Sequence, residues 1–297
     1  MIFVVALYAI FAGMAFINAS LMASDPYPII VGMFRSLGSG VIILGYFLLF
    51  DKAKILGLKL TKHQWYLLTM YGILIHAFAM CGFSYGVLYA SPISICFLYA
   101  AAPFLTAILL YFDQGQSLSK AKMIGLTVGF IGLLPILFKS GAMDHSVIIP
   151  GHVWLGNAII FISMIFFCYG WILFKKLIGN GNYSTQVLNG IAMIIGGFVI
   201  GLAQFVFGGK QAFLLPYSYD FGYLLSLFVL SSLLTYSLYA YLLNHFSPTF
   251  ISFAGFLEPA FAMLYGVIIF GYNIDSVDII SFIILFLGLY IFYRQEL

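Results

Sequence analysis

Apolar runs of about twenty residues recur along the whole chain, and that recurrence constrains the fold more than any other feature. A bilayer core of roughly 30 Å is crossed by about 20 helical residues rising about 1.5 Å each. Ten runs meet that length, at approximately 2–23, 28–50, 65–88, 92–112, 122–139, 153–175, 184–207, 222–243, 248–270 and 277–294. The connections between them are short, and the longest polar stretches lie near 51–64, 140–152 and 208–221. The expected fold class is all-α and integral to a membrane, with ten transmembrane helices.

Composition supports that reading. The charged fraction is 7% of 297 residues, where soluble domains carry about a quarter. So few charges cannot cover an apolar core, and the lipid bilayer is the expected partner. The formal charge of +3 is small and its basic residues form no single patch, so no nucleic acid is expected. Cys81, Cys96 and Cys168 all lie inside apolar runs at spacings that suit neither a metal site nor a disulfide framework. The first run lacks a basic leading segment and exceeds the usual apolar length of a signal peptide, so it reads as a retained helix.

Orientation follows from the basic residues of the loops. With the N-terminus in the cytoplasm, the inner side holds Lys52, Lys54, Lys59, Lys62, Lys120, Lys122, Lys175, Lys176 and Arg294. The outer side holds only Lys139 and Lys210. Both termini are therefore expected to be cytoplasmic, in the inner (plasma) membrane of a cell.

The chain also repeats itself. Ser91-Pro92 with Pro103 recurs as Ser247-Pro248 with Pro259, an offset of 156 that also places Tyr85 on Tyr241 and Gly132 on Gly288. The expected organisation is a first five-helix repeat over 1–139, a connecting loop at 140–152 and a second repeat over 153–297. Five is odd, so the second half sits inverted relative to the first. Inverted repeats around a midplane site are a transporter architecture.

At these residues the chain resembles the drug/metabolite transporter superfamily, and within it the EamA-like ten-helix family. The resemblance spans nearly the whole chain. It rests on the 5+5 inverted repeat, on Tyr85-Gly-Val-Leu-Tyr-Ala-Ser-Pro92 with Pro103 downstream, and most sharply on Phe256-Leu257-Glu258-Pro259-Ala260, which is similar to the family's "LEP" element. It implies a carrier for small metabolites, often amino acids or related compounds. It further implies a central cavity lined by helices one to four and six to nine, with five and ten peripheral. One departure stands out. Many members carry an acidic residue after the fourth and ninth helices; Asp113 fits the first place, but Phe270-Gly271-Tyr272-Asn273 occupies the second.

Ionisable groups at membrane depth are costly and usually face an interior or a cavity. Glu258 lies ten residues past Pro248, about 15 Å from the cytoplasmic edge. His76 lies eleven past Trp65, about 16 Å from the same edge, and Arg35 lies seven past Pro28, about 10 Å from the outer one. Glu258 is a candidate partner for a substrate amine or a titrating proton carrier; alternatively it caps backbone freed by Pro259, paired with Arg35. The planar fork of Arg35 suits a carboxylate or phosphate. His76 suits a proton relay or a plain buried hydrogen bond. Tyr99, Trp171 and Tyr236 are candidate cavity walls or helix-to-helix glue.

The remaining signals are mechanical. Pro92 and Pro248 sit in first turns, where a missing N–H costs little, whereas Pro103, Pro135 and Pro259 should kink their helices. Gly125, Gly129 and Gly132 form a small-residue stripe for packing or dimerisation. Gly82-Phe-Ser-Tyr-Gly86 mimics a hydrolase elbow, but that motif needs a strand-turn-helix setting. Phosphate-loop and dinucleotide fingerprints do not occur, so no cofactor, metal or enzyme activity is expected. The expected function is a secondary carrier of a small zwitterionic or aromatic metabolite, working by alternating access as a monomer or weak homodimer. A channel or facilitator is the alternative reading, with an intramembrane enzyme behind it.

Overall fold

The computed structural model describes residues 2–24, 28–115, 119–138, 149, 152–179, 183–207, 233–271 and 273–294. The first half of the expected eighth helix (222–232), most of the connection at 140–152, and Lys139 and Lys210 lie outside them. Among the described residues the chain is helical and contains no strand. Seven helical stretches among the described residues are long and apolar enough to cross a bilayer, and Ser276–Phe292 is a shorter apolar one. Their outer faces carry exposed apolar side chains such as Val41, Leu49, Phe198, Phe205, Ile268 and Ile283. In water that surface would be untenable; in lipid it is the expected boundary.

α1 (Ile2–Ser24) and α2 (Pro28–Phe50) each cross in one piece, followed by the short α3 (Lys52–Leu56). Next comes α4 (Lys62–Tyr71), whose start is fixed by a capping box: Gln64 N donates to Thr61 Oγ1 at 3.3 Å and Thr61 N to Gln64 Oε1 at 2.9 Å. α4 runs into a π-helical segment, Gly72–Ala79, and then α5 (Met80–Gly86). The sequence predicts one regular helix here, and the wider π turn is a departure. It coincides with a very close neighbour, since a Cβ at Gly196 would lie 2.7 Å from Gly72 O.

α6 (Pro92–Tyr99) and α7 (Ala102–Gln114) form one span with an interruption at Ala100–Ala101. α8 (Lys120–Phe138), α9 (Val153–Gly179), α10 (Thr185–Phe207) and α11 (Tyr236–His245) follow. α12 (Pro248–Ala254) and α13 (Leu257–Phe270) form a second interrupted span, and α14 (Ser276–Tyr293) comes last. Pro92 and Pro248 occupy first helical turns as expected. The two interruptions fall just before Pro103 and Pro259, each of which lacks the N–H that would continue the ladder. Pro135 behaves differently, because α8 continues through it.

Packing is closest where side chains are smallest. α8 and α14 press together along the glycine stripe. A Cβ on Gly288 would lie 2.7 Å from Gly129 Cα and 2.8 Å from Gly125 O. The stripe is thus used within the chain. α2 packs on α10, and α9 packs on α4, the π segment and α5. α1 packs on α13 and α6. At one end of the bundle Lys176 pairs with Asp113 at 2.5 Å, and Tyr169 donates to Asp113 Oδ1 at 3.4 Å. At that end Lys175 also donates to the carbonyls of Leu243 and Phe246.

Candidate functional site

Each interrupted span places a different side chain at the bundle centre. The break at Gly255–Phe256 starts α13 on Leu257, so Glu258 sits in a first helical turn, with its backbone N–H on Gly255 O at 3.0 Å. Gly255 O is the carbonyl that Pro259 leaves without its usual donor. The Glu258 side chain is only 5% exposed and lies against the Cys96 thiol of α6. In the other span Ala102 occupies the position equivalent to Glu258, and Tyr99 precedes it by one turn. Tyr99 lies within electrostatic reach of Glu258.

Arg35 projects from the middle of α2 and is 2% exposed, among the largest fully buried side chains. It lies near Tyr236 of α11 and Cys81 of α5. Arg35, Tyr99, Tyr236 and Glu258 line one cavity, with Phe11 and Phe167 among its apolar walls. The void is narrow, about 30 Å³, which is room for about two waters. A second void of about 20 Å³ adjoins it and shares Phe11, Tyr99, Phe167 and Glu258, but not Arg35. The walls come from α1, α2, α5 and α6 on one side of the sequence and from α9, α11 and α13 on the other. No ion pair within 4.0 Å joins Arg35 to Glu258 among the described residues, so the two charges stand apart from each other in one cavity.

His76 and Trp171 sit beside this cavity rather than on it. His76 Nε2 lies 3.2 Å from Asn189 Oδ1, and Tyr71 donates to the same oxygen at 2.7 Å. His76 Nδ1 and Asn189 Nδ2 are buried with no hydrogen-bond partner among the described residues. The His76 ring packs 5.1 Å from Tyr236, which connects this cluster to the cavity wall. Trp171 stacks on Tyr239 at 4.1 Å and 14° and on Tyr236 at 6.2 Å and 23°. Sequence reasoning missed Asn189, although a lone amide in an apolar run is a legible signal. It also missed Phe11, Phe167 and Tyr239, which nothing distinguishes among 32 Phe and 21 Tyr. Ser84 of the elbow-like motif lies within α5, where Asn18 Nδ2 approaches its hydroxyl at 3.5 Å.

Comparison with known proteins places this architecture. A "S-adenosylmethionine/S-adenosylhomocysteine transporter" of Chlamydia muridarum (strain MoPn / Nigg) is 28% identical over 205 residues, covering 68% of this chain and 64% of that protein. A protein of the same name from Chlamydia trachomatis serovar L2 is 26% identical over 216 residues, covering 69% and 63%. The matched region is thus less than two thirds of these relatives' own length. An uncharacterised solute carrier family 35 member of Schizosaccharomyces pombe is 25% identical over 169 residues, covering 56% and 32%. A crystal structure of a protein 12% identical superposes with a TM-score of 0.69 over 99% of this chain and 98% of its own, which is a likeness of fold. The profile of the EamA-like transporter family matches residues 1–138 and 154–294. With both stretches matched, the chain belongs to the EamA-like transporter family, a multi-pass membrane transporter family of the drug/metabolite superfamily.

Proposed function

We propose that the chain is a secondary carrier for a small zwitterionic metabolite, with S-adenosylmethionine and S-adenosylhomocysteine the first substrates to test. One observation carries this reading: a buried guanidinium and a buried carboxylate line the same cavity. Charges at membrane depth are expensive and mark substrate pathways, and a ligand with both signs of charge offers each its opposite. Arg35 takes the carboxylate through its planar fork, Glu258 takes the cation, and Tyr99 and Tyr236 shape the walls. His76 and Trp171 support Tyr236 from behind. The names of the chlamydial relatives support the choice of substrate.

The transport cycle is alternating access between two inverted five-helix halves, 1–139 and 153–297, with both termini cytoplasmic. Three features support it. The cavity draws its walls from both halves, helix pairs α8/α14 and α2/α10 join equivalent elements across them, and the family profile matches in two stretches. The setting is the plasma membrane. Proton exchange at Glu258 is the proposed coupling.

The test is counterflow in proteoliposomes. Vesicles containing the full chain and loaded with S-adenosylhomocysteine should accumulate labelled S-adenosylmethionine saturably. Glu258→Gln and Arg35→Lys should each reduce that rate about tenfold or more, the scale of a lost charge-assisted bond. Linear, unsaturable flux would mean a channel. Unaltered rates and affinity in both variants would remove the site.

A further inference from the structure

Phe167 is the hub of an aromatic set beside Glu258. Its ring meets Tyr99 at 5.7 Å, Tyr239 at 5.8 Å and Phe11 at 6.0 Å, with interplanar angles of 79°, 86° and 80°. Rings held nearly perpendicular to a shared neighbour form walls rather than a stack. All four line the smaller void together with Glu258. The hydroxyl protons of Tyr8 and Ser252, which also line it, are committed to backbone. Tyr8 donates to Ile251 O at 2.5 Å, and Ser252 Oγ bonds to Pro248 O at 2.8 Å and Thr249 O at 3.0 Å. Arg35 lines only the other void, so of the two charged groups the acid alone faces this one.

A buried carboxylate calls for a counter-charge. A primary ammonium entering this void would give up the three hydrogen bonds it makes in water and would have to replace all three from Glu258 and a few hydroxyl oxygens set in a wall made mostly of rings. A trialkylsulfonium or quaternary ammonium head has no N–H to satisfy. Ring faces attract it through their quadrupole, most strongly when it is desolvated. We propose that Phe11, Tyr99, Phe167 and Tyr239, closed by Glu258, form a subsite for an onium cation carried by the substrate, which the rings admit by parting from the present void of about 20 Å³. The remainder of that substrate rests on the zwitterion-carrier reading above, whereas the cage stands on its own geometry.

Three probes separate the two ideas: methionine, S-methylmethionine and tetramethylammonium. Methionine and S-methylmethionine differ by one methyl and one positive charge on sulfur, and tetramethylammonium has no carboxylate. Their binding to the purified full chain is measured by ligand-induced thermal shift and by titration of tryptophan fluorescence. S-methylmethionine should bind about tenfold tighter than methionine. That preference should fall to about twofold or less in Glu258→Gln and in Phe167→Leu, and unliganded melting temperatures close to that of the parent protein show that the variants fold. Tetramethylammonium binding with no amino-acid binding would keep the cage and overturn the zwitterion reading. Equal affinity for both amino acids with no tetramethylammonium binding would overturn the cage and keep the carrier. A preference that survives both substitutions, or no binding of any probe, overturns the cage.

Discussion

Gly115 and Gly271 stand 156 residues apart and hold the same left-handed backbone, φ 66° and ψ 19° against φ 64° and ψ 25°. Among the described residues they are the only two at positive φ. Each ends the second piece of an interrupted span. The same spacing relates the N-caps Ser91 and Ser247, whose hydroxyls accept from Ser94 N and Phe250 N, and the starts of α8 and α14 at Lys120 and Ser276. The local backbone thus repeats together with the prolines. A left-handed residue with a Cβ costs about 1–2 kcal/mol. Gly115→Val and Gly271→Val should therefore each lower thermal stability in detergent by about that amount. Both sites are open, with nothing within 4 Å of an added Cβ, so the loss would reflect conformation rather than crowding.

Gly288 is the opposite case, limited by contact. An added side chain would strike the backbone of Gly129 and Gly125 on α8. Overpacking of this kind costs about 1–3 kcal/mol, so Gly288→Leu should lower the Tm and the yield of folded protein. Gly45→Ala is the control, since nothing lies within 4 Å of its added Cβ. It should be neutral or stabilising by up to about 1 kcal/mol. Equal stability of the two variants would show that α8 and α14 do not need this close approach.

Asn189 holds two partners with one oxygen. Asn189→Ala leaves the Tyr71 hydroxyl and His76 Nε2 buried without it, a loss of about 1–3 kcal/mol for an unsatisfied group. Thermal denaturation should show that loss. Substrate affinity should fall less than in Arg35→Lys, because the cluster sits beside the cavity wall at the Tyr236 ring rather than lining the cavity. A binding loss equal to that of Arg35→Lys would place His76 and Asn189 on the substrate itself.

The Lys176–Asp113 pair ties the C-terminal end of α9 to that of α7. Its side chains are part-exposed, so it is worth at most about 1 kcal/mol, or about fivefold in a two-state population. Asp113→Asn should raise the labelling rate of a cysteine placed at Phe167 by about that factor when the reagent enters from the basic end. The native cysteines must first be replaced by serine or alanine. No change in labelling would mean that the pair does not bias opening at that end.

Much of the candidate site is legible in the sequence. Glu258, Arg35 and His76 are conspicuous because a charge or an imidazole at membrane depth has few reasons to be there. The fold brings Glu258 and Arg35 to one cavity with Tyr99 and Tyr236, and draws His76 and Trp171 aside. That division depends on helix rotation, which an apolar run surrounded by lipid and protein alike does not encode. The π segment at Gly72–Ala79 is illegible for a related reason. It arises beside α10, a partner more than a hundred residues away in the chain.

Local sequence is enough for the helical membrane fold, the helix starts at Pro92 and Pro248, the interruptions before Pro103 and Pro259, and the spacing of 156. Each has a local cause: length against bilayer thickness, a missing N–H, a glycine that tolerates positive φ. Packing had to decide that four scattered rings line one void with Glu258, that Arg35 faces a neighbouring void, and that the glycine stripe is consumed inside the chain. Those facts depend on how the helices approach and turn toward one another, and close contact sets that only once every helix is in place.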